Sequence, residues 1–258
     1  DELMHERVRT EAELREALAT DQLVLHYQPR IDLATGAIHS VEALVRWLHP
    51  ERGLLKPADF LPLAEEVQLG QALFEWVLDT ACRQAKRWQE ERVPRRVAVN
   101  ISPQALERHD LAATVKAALQ RHDLHPALLE IEVSERTALA TLEANVTRLG
   151  ELREMGVRVA LDDFGVAQAS LQHLRELPLD GLKIDRSFVA RLGEQAPGGD
   201  VDLLRAIIGI GKSLKLRVTA EGVETRAQNA LLRSLRCDEG QGYLFSQPVP
   251  AEYVPVVA

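Results

Sequence analysis

Short runs rich in branched and aromatic residues alternate along the chain with longer segments whose apolar residues step at helical spacing. That alternation predicts a parallel sheet with crossover helices. The strand-like runs cover residues 23–31, 37–47, 95–101, 128–134, 157–162, 179–184, 215–220 and 241–245. Between them, Leu73, Val77, Ala81, Ala85 and Trp88 mark one apolar helix face. Leu142, Val146, Leu149 and Leu152 mark a second, and Leu204, Ile207, Gly211 and Leu214 a third. Gly156 fits a left-handed helix terminus that feeds the strand opening at Val157. The first two runs flank Ala34-Thr35-Gly36, which predicts an antiparallel hairpin at the head of an otherwise parallel barrel. Residues 193–200 read as the loosest loop, and residues 6–19 as a solvated, charged helix. No linker divides the chain. The expected fold is therefore α/β, a (β/α)8 TIM-like barrel with an antiparallel strand in its N-terminal hairpin. Residues 1–258 are expected to form one domain, with 1–20 as a lead-in helix, in keeping with a piece of a larger multidomain protein.

The length agrees: 258 residues and 28.7 kDa fit a single barrel of about 250 residues. A hydrophobic fraction of 46% provides for an ordinary core. The net charge of −8 argues against a broad basic footprint for duplex nucleic acid, though not against a small anion held locally. Cys82 and Cys237 lie far apart and form no CxxC pair, which reads as two reduced thiols in a cytoplasmic protein. No apolar run is long enough to span a membrane, and no signal-peptide pattern is present.

In barrels of this kind chemistry collects where the strands end. Those positions hold Glu42, Asn100, Glu132, Asp162, Asp163, Lys183, Asp185, Glu221 and Gln241. Any one of them alone fits a solvated strand end. Together they do not, because Glu132 and Asp162 issue from apolar runs, and like charges crowded at one mouth are costly without cations. One lysine is too little compensation, so hard divalent ions with oxygen ligands, Mg²⁺ or Mn²⁺, are expected. The adjacent Asp162-Asp163 pair suits two ions about 3.5–4 Å apart, the clamp used for attack on phosphate esters. Two other features carry less. The stretch ending Gly211-Lys212-Ser213 has alanine at position 206 where a phosphate-binding loop needs glycine. His122 and His125 sit in a polar turn without a third ligand nearby.

The ordered motifs are more specific. Tyr27-Gln28-Pro29, Glu42-Ala43-Leu44, FLPLAEE at 60–66 and Val99-Asn100-Ile101-Ser102 come first. EIEVSE at 130–135, LDDFG at 161–165, LKIDRSFV at 182–189, AEGVE at 220–224 and QGYLF at 241–245 follow. In this order the chain resembles the EAL family of cyclic di-GMP phosphodiesterases over roughly residues 10–250. The resemblance implies that Glu42, Asn100, Glu132 and Asp162 hold a first metal. Asp162 would bridge to a second, completed by Asp163 and Glu221. It implies that Lys183, with Asp185, positions the attacking water, that Arg46 grips a phosphate, and that Gln28, Leu44, Pro50 and Gln241 contact the nucleotide. Hydrolysis of one phosphodiester to linear pGpG is the implied reaction, in a homodimer often fused to GGDEF, PAS or receiver domains.

One stretch departs from the family. After Gly165 the pattern Thr-Gly-Tyr-Ser-Ser-Leu is replaced by Val166-Ala167-Gln168-Ala169-Ser170-Leu171. If position 167 needs a positive φ, alanine there is strained. The lost hydroxyls and tyrosine also remove polar groups beside the metal ligands, although Glu135, which anchors this loop in the family, is retained. Two readings stand: a metal-dependent phosphodiesterase, or a cyclic di-GMP receptor whose second metal is poorly held.

Overall fold

Leu23–Asp32 (β1) and Ile38–His49 (β2) pair antiparallel, as the hairpin pattern predicts. The turn closes on Asp32, whose Oδ1 accepts from the Ala34 and Thr35 amides at 3.1 and 2.9 Å. Gly36 then takes a φ of +76°, a left-handed conformation that costs glycine little. Gly53–Leu55 (β3), Arg96–Asn100 (β4), Leu129–Ser134 (β5), Arg158–Phe164 (β6), Gly181–Ile184 (β7), Arg217–Ala220 (β8) and Glu239–Gly240 (β9) follow. The computed structural model describes residues 2–167, 170–192 and 198–255, with 2–7 described by backbone alone.

The sheet order β1-β9-β8-β7-β6-β5-β4-β2, closed by the β1–β2 pairing, makes a closed barrel of eight strands. β1 runs antiparallel to both its neighbours, and the other neighbouring pairs in the ring are parallel. β3, which the sequence pattern does not reveal, hangs on the outer half of β2. β5 illustrates how the interior is filled. Leu129, Ile131 and Val133 are wholly buried on the helix-facing side, so the alternate residues Glu130 and Glu132 point into the barrel.

The helical faces fall where the spacing places them. Helix Gly70–Glu90 buries Leu73, Val77, Ala81, Ala85 and Trp88. Helix Leu142–Glu154 buries Leu149 and Leu152, and Gly156 follows it with φ +91°. Three expectations need correction. Helix Glu2–Ala19 is not simply solvated, because Leu14 and Ala17 are fully buried on one face. Residues 198–200 open helix Gly198–Ser213 instead of extending the loop, and 193–197 lie outside the described residues. The last strand stops at Gly240 and does not cover 241–245. A Cβ at Gly242 would stand 2.2 Å from the Val223 carbonyl oxygen, so the chain turns tightly against that backbone. No helix among the described residues is long and apolar enough to cross a membrane.

Candidate metal centre

The barrel half of β2 is Ser40–Ala43, which pairs with β4, while the remainder of β2 rises past the rim beside β1 and β3. Glu42 thus stands at the rim although it is mid-strand, a correction to its reading as a strand end. Asn100, Glu221 and Gln241 sit at or just after the ends of their strands, as expected, and Glu132, Asp162 and Lys183 one or two residues before them. Asp162 and Asp163 are consecutive and would point to opposite faces of a regular strand. A register shift between Leu161 and Phe164, with Asp163 at φ +55°, lets both carboxylates join one cluster.

Lys183 lies at the middle of this ring, almost wholly buried. Its Nζ is 2.7 Å from Glu221, 2.9 Å from Glu132, 3.2 Å from Asp162 and 3.2 Å from Glu42. Glu42 also accepts from Asn100 Nδ2 at 2.8 Å and from Gln241 Nε2 at 2.7 Å. Oxygens of Glu42, Glu132 and Asp162 lie within 4.8 Å of one another, and so do those of Asp162, Asp163 and Glu221. The two triads share Asp162. Donors that are all oxygen, most of them anionic, fit a pair of hard divalent cations.

The electrostatics are lopsided in the same sense. Burial would raise the Glu42 carboxyl, yet Lys183, Arg30 and the bonds from Gln241 and Asn100 hold it at about 2. Glu221 goes the other way. Burial, reinforced by Asp162 and Glu42, pushes it up to about 8 although Lys183 opposes the rise. Asp163 is raised by burial and by the neighbouring charges of Asp162 and Asp185. Lys183 and Arg30 therefore leave carboxylate charge uncompensated at Glu221 and Asp163, and added cations would relieve it.

The remaining expected residues divide. Leu44 lines a cleft of about 460 Å³ together with Asn100, Glu132, Asp162 and Asp163. Gln28 and Gln241 meet, with Gln241 Nε2 donating to Gln28 Oε1 at 2.9 Å. Arg46 is buried two residues beyond Leu44 on the same strand face, its Nη1 donating to the Val45 carbonyl at 2.9 Å. Pro50 is exposed in the turn after β2. Asp185 caps helix Arg186–Ala190 by accepting from the Ser187 amide at 2.9 Å, and it is not among the partners of Lys183. His122 bonds Asp79 and His125 caps a short turn, each away from the ring.

The altered loop keeps its anchor. Glu135 Oε2 accepts from the Gly165 and Ala167 amides, both at 2.9 Å. These bonds reach backbone atoms, so new side chains at 166 and 167 do not remove them. Ala167 is not among the described residues with positive φ, so no glycine is required there. Gln168 and Ala169 lie outside the described residues. Arg30 is a component that the sequence pattern did not single out. It lies two residues after Gln28, on the same inward face of β1, and its Nη2 bonds Glu132 from below.

The model of the EAL domain family matches residues 11–248. The chain is 44% identical to a bifunctional diguanylate cyclase/cyclic di-GMP phosphodiesterase, MucR of Pseudomonas aeruginosa, over 93% of its length and 35% of that protein. It is 45% identical to the cyclic di-GMP phosphodiesterase NbdA of the same organism, over 95% of its length and 31% of NbdA. It thus spans about a third of the length of these relatives. Among solved structures, the MucR phosphodiesterase from P. aeruginosa in complex with c-di-GMP superposes with a TM-score of 0.90 at 43% identity, covering 95% of this chain and 98% of that one.

Proposed function

This chain belongs to the EAL domain family, and we propose that it hydrolyses one phosphodiester bond of cyclic di-GMP to linear pGpG, with two Mg²⁺ or Mn²⁺ ions. The observation that carries the reading is the pair of oxygen triads sharing Asp162, with Lys183 between them. Glu42, Asn100, Glu132 and Asp162 would hold one ion, and Asp162, Asp163 and Glu221 the other. Bound divalent cations lower the pKa of coordinated water and neutralise phosphate oxygens.

The chain's own groups supply the rest. Lys183, held by four carboxylates, would turn one of its three N–H groups to a water or phosphate oxygen once cations share those carboxylates. Arg46 reaches the phosphates from the risen part of β2. Gln28 and Gln241, joined through their amides, offer hydrogen bonds to the nucleotide, and Leu44 and Pro50 supply apolar contact. Asp185, half-buried near Asp163, is held by the Ser187 amide through Oδ1 and would share in positioning the water through its other oxygen.

The receptor reading loses its main support, because the loop's anchoring bonds to Glu135 survive the substitutions. The domain works in the cytoplasm, in keeping with two free buried thiols. It works as a homodimer, with exposed Val166 and Leu171 as apolar contacts, inside a longer polypeptide carrying a GGDEF, PAS or receiver module. The name of its relative MucR, which joins cyclase and phosphodiesterase, supports the last point. The deciding experiment incubates the purified chain with cyclic di-GMP and Mg²⁺ or Mn²⁺ and separates the products. Formation of pGpG is expected; tight binding without it would leave a receptor.

A further inference from the structure

One layer below the metal ring, Arg30 pairs with Ser40 across the hairpin and projects into the barrel. Its side chain is only 2% exposed. Three donors go to three different acceptors. Nε bonds Gln241 Oε1 at 3.3 Å, Nη1 bonds Glu130 Oε1 at 2.5 Å, and Nη2 bonds Glu132 Oε1. The side chain therefore crosses the interior from β1 to β5 and touches the segment after β9.

Two consequences follow for the site above. Glu132 has one oxygen fixed by Arg30 and the other by Lys183 at 2.9 Å, so its carboxylate plane has no freedom to rotate. Gln241 has its carbonyl oxygen committed to Arg30, which turns its NH₂ towards Glu42 at 2.7 Å and Gln28 at 2.9 Å. Without Arg30 that amide is free to flip, and its oxygen would then face the Glu42 carboxylate. Arg30 and Lys183 also line, from above, a cavity of about 400 Å³ whose other walls include Arg96, Arg158, Arg217 and Glu239.

We infer that Arg30 is a positioning residue for the hydrolysis proposed above: it fixes the Glu132 carboxylate and the Gln241 amide in the orientations that metal and substrate need. The inference rests on that reading of the site. The planar fork is essential to it, because its nitrogens are spread apart and each reaches a separate acceptor, whereas an ammonium must serve all its acceptors from a single point.

The test compares wild type with Arg30→Lys, Arg30→Met and the double variant Arg30→Met/Glu130→Met. The double variant removes the buried pair together, which spares the fold an orphaned charge. Mn²⁺ affinity is read by calorimetry, folding by circular dichroism, and kcat and KM separately with cyclic di-GMP. Supporting groups behind metal ligands typically contribute roughly 10–100-fold in metal affinity or activity. Arg30→Lys is expected to keep a wild-type spectrum yet bind Mn²⁺ at least about tenfold more weakly, with kcat reduced and KM raised through Gln241. The folded double variant is expected to show the same loss. Wild-type Mn²⁺ affinity in Arg30→Lys or in the double variant would overturn the inference, since charge or packing alone would then suffice. If wild type binds Mn²⁺ but makes no pGpG, the hydrolytic reading fails while the affinity comparison still judges Arg30.

Discussion

Replacing Glu221 by glutamine is expected to stabilise the metal-free protein above neutral pH, although it removes a 2.7 Å ion pair with Lys183. Lys183 keeps Glu42, Glu132 and Asp162 as partners, so what the substitution chiefly removes is the cost of burying a carboxylate charge, reinforced by repulsion from Asp162 and Glu42. The Glu221 carboxyl is pushed from 4.5 to about 8 in the fold. The native state therefore retains a proton that the unfolded chain releases, and stability falls as pH rises between those values. The full shift corresponds to about 5 kcal/mol at pH above 8. The side chain is 18% exposed, and solvent screening reduces the usable part to about 1–2 kcal/mol. At roughly 2–4 °C per kcal/mol for a chain of this size, the variant should melt about 2–8 °C above wild type at pH 8. Near pH 5 both forms are largely neutral at this position, and the difference should vanish. Thermal melts in EDTA from pH 5 to 8.5 measure it directly. With Mn²⁺ added, wild type should gain more than Glu221→Gln, because a ligand has been lost. A gap that does not grow with pH, or a variant less stable than wild type at pH 8, would refute the claim that burial and its carboxylate neighbours make the Glu221 charge costly here.

Glu42→Ala is expected to abolish pGpG formation while leaving a folded chain, as judged by product chromatography beside circular dichroism; unchanged turnover would sink the metal assignment. Glu135→Ala removes the acceptor for two loop amides and should destabilise by about 2–4 kcal/mol, with faster amide exchange at Gly165 and Ala167. Ala167→Gly should not raise activity. Since Ala167 is not at positive φ, it should instead lower stability by about 0.4–1 kcal/mol through the unfolded chain, measurable by urea denaturation.

What the sequence disclosed and what it hid divide along physical lines. Period-two burial and strand–helix alternation depend on each residue's own polarity, so β4 to β8, their helices and the rim carboxylates were legible from the chain alone. The segment 241–245 looked like a strand because its composition is apolar, but its shape is set by how closely Gly242 approaches the Val223 backbone, which no local pattern records. At 166–169 the sequence pattern points to lost side-chain groups and to a glycine-like φ at 167, whereas Ala167 is not at positive φ and the loop is held by amide bonds to Glu135, indifferent to what the side chains are.

Arg30 was hidden for a third reason. The rule that chemistry gathers at C-terminal strand ends assumes parallel strands, and β1 runs against its neighbours. Its early residue Gln28 therefore lies beside Glu42, level with the ring, and Arg30 falls one layer beneath it. Glu130 escapes the rule for the matching reason, lying two residues before Glu132 and one layer deeper in the barrel. In the ring itself Lys183 is the sole positive charge, which would leave the remaining compensation to metals. With Arg30 beneath, part of the charge is balanced permanently. Glu42 can stay ionised at about 2 before any ion binds. The unrelieved part sits on Glu221 and Asp163, at the second triad. On this distribution the first triad is held ready by fixed cations, and the second is the one whose charge state a metal ion most changes.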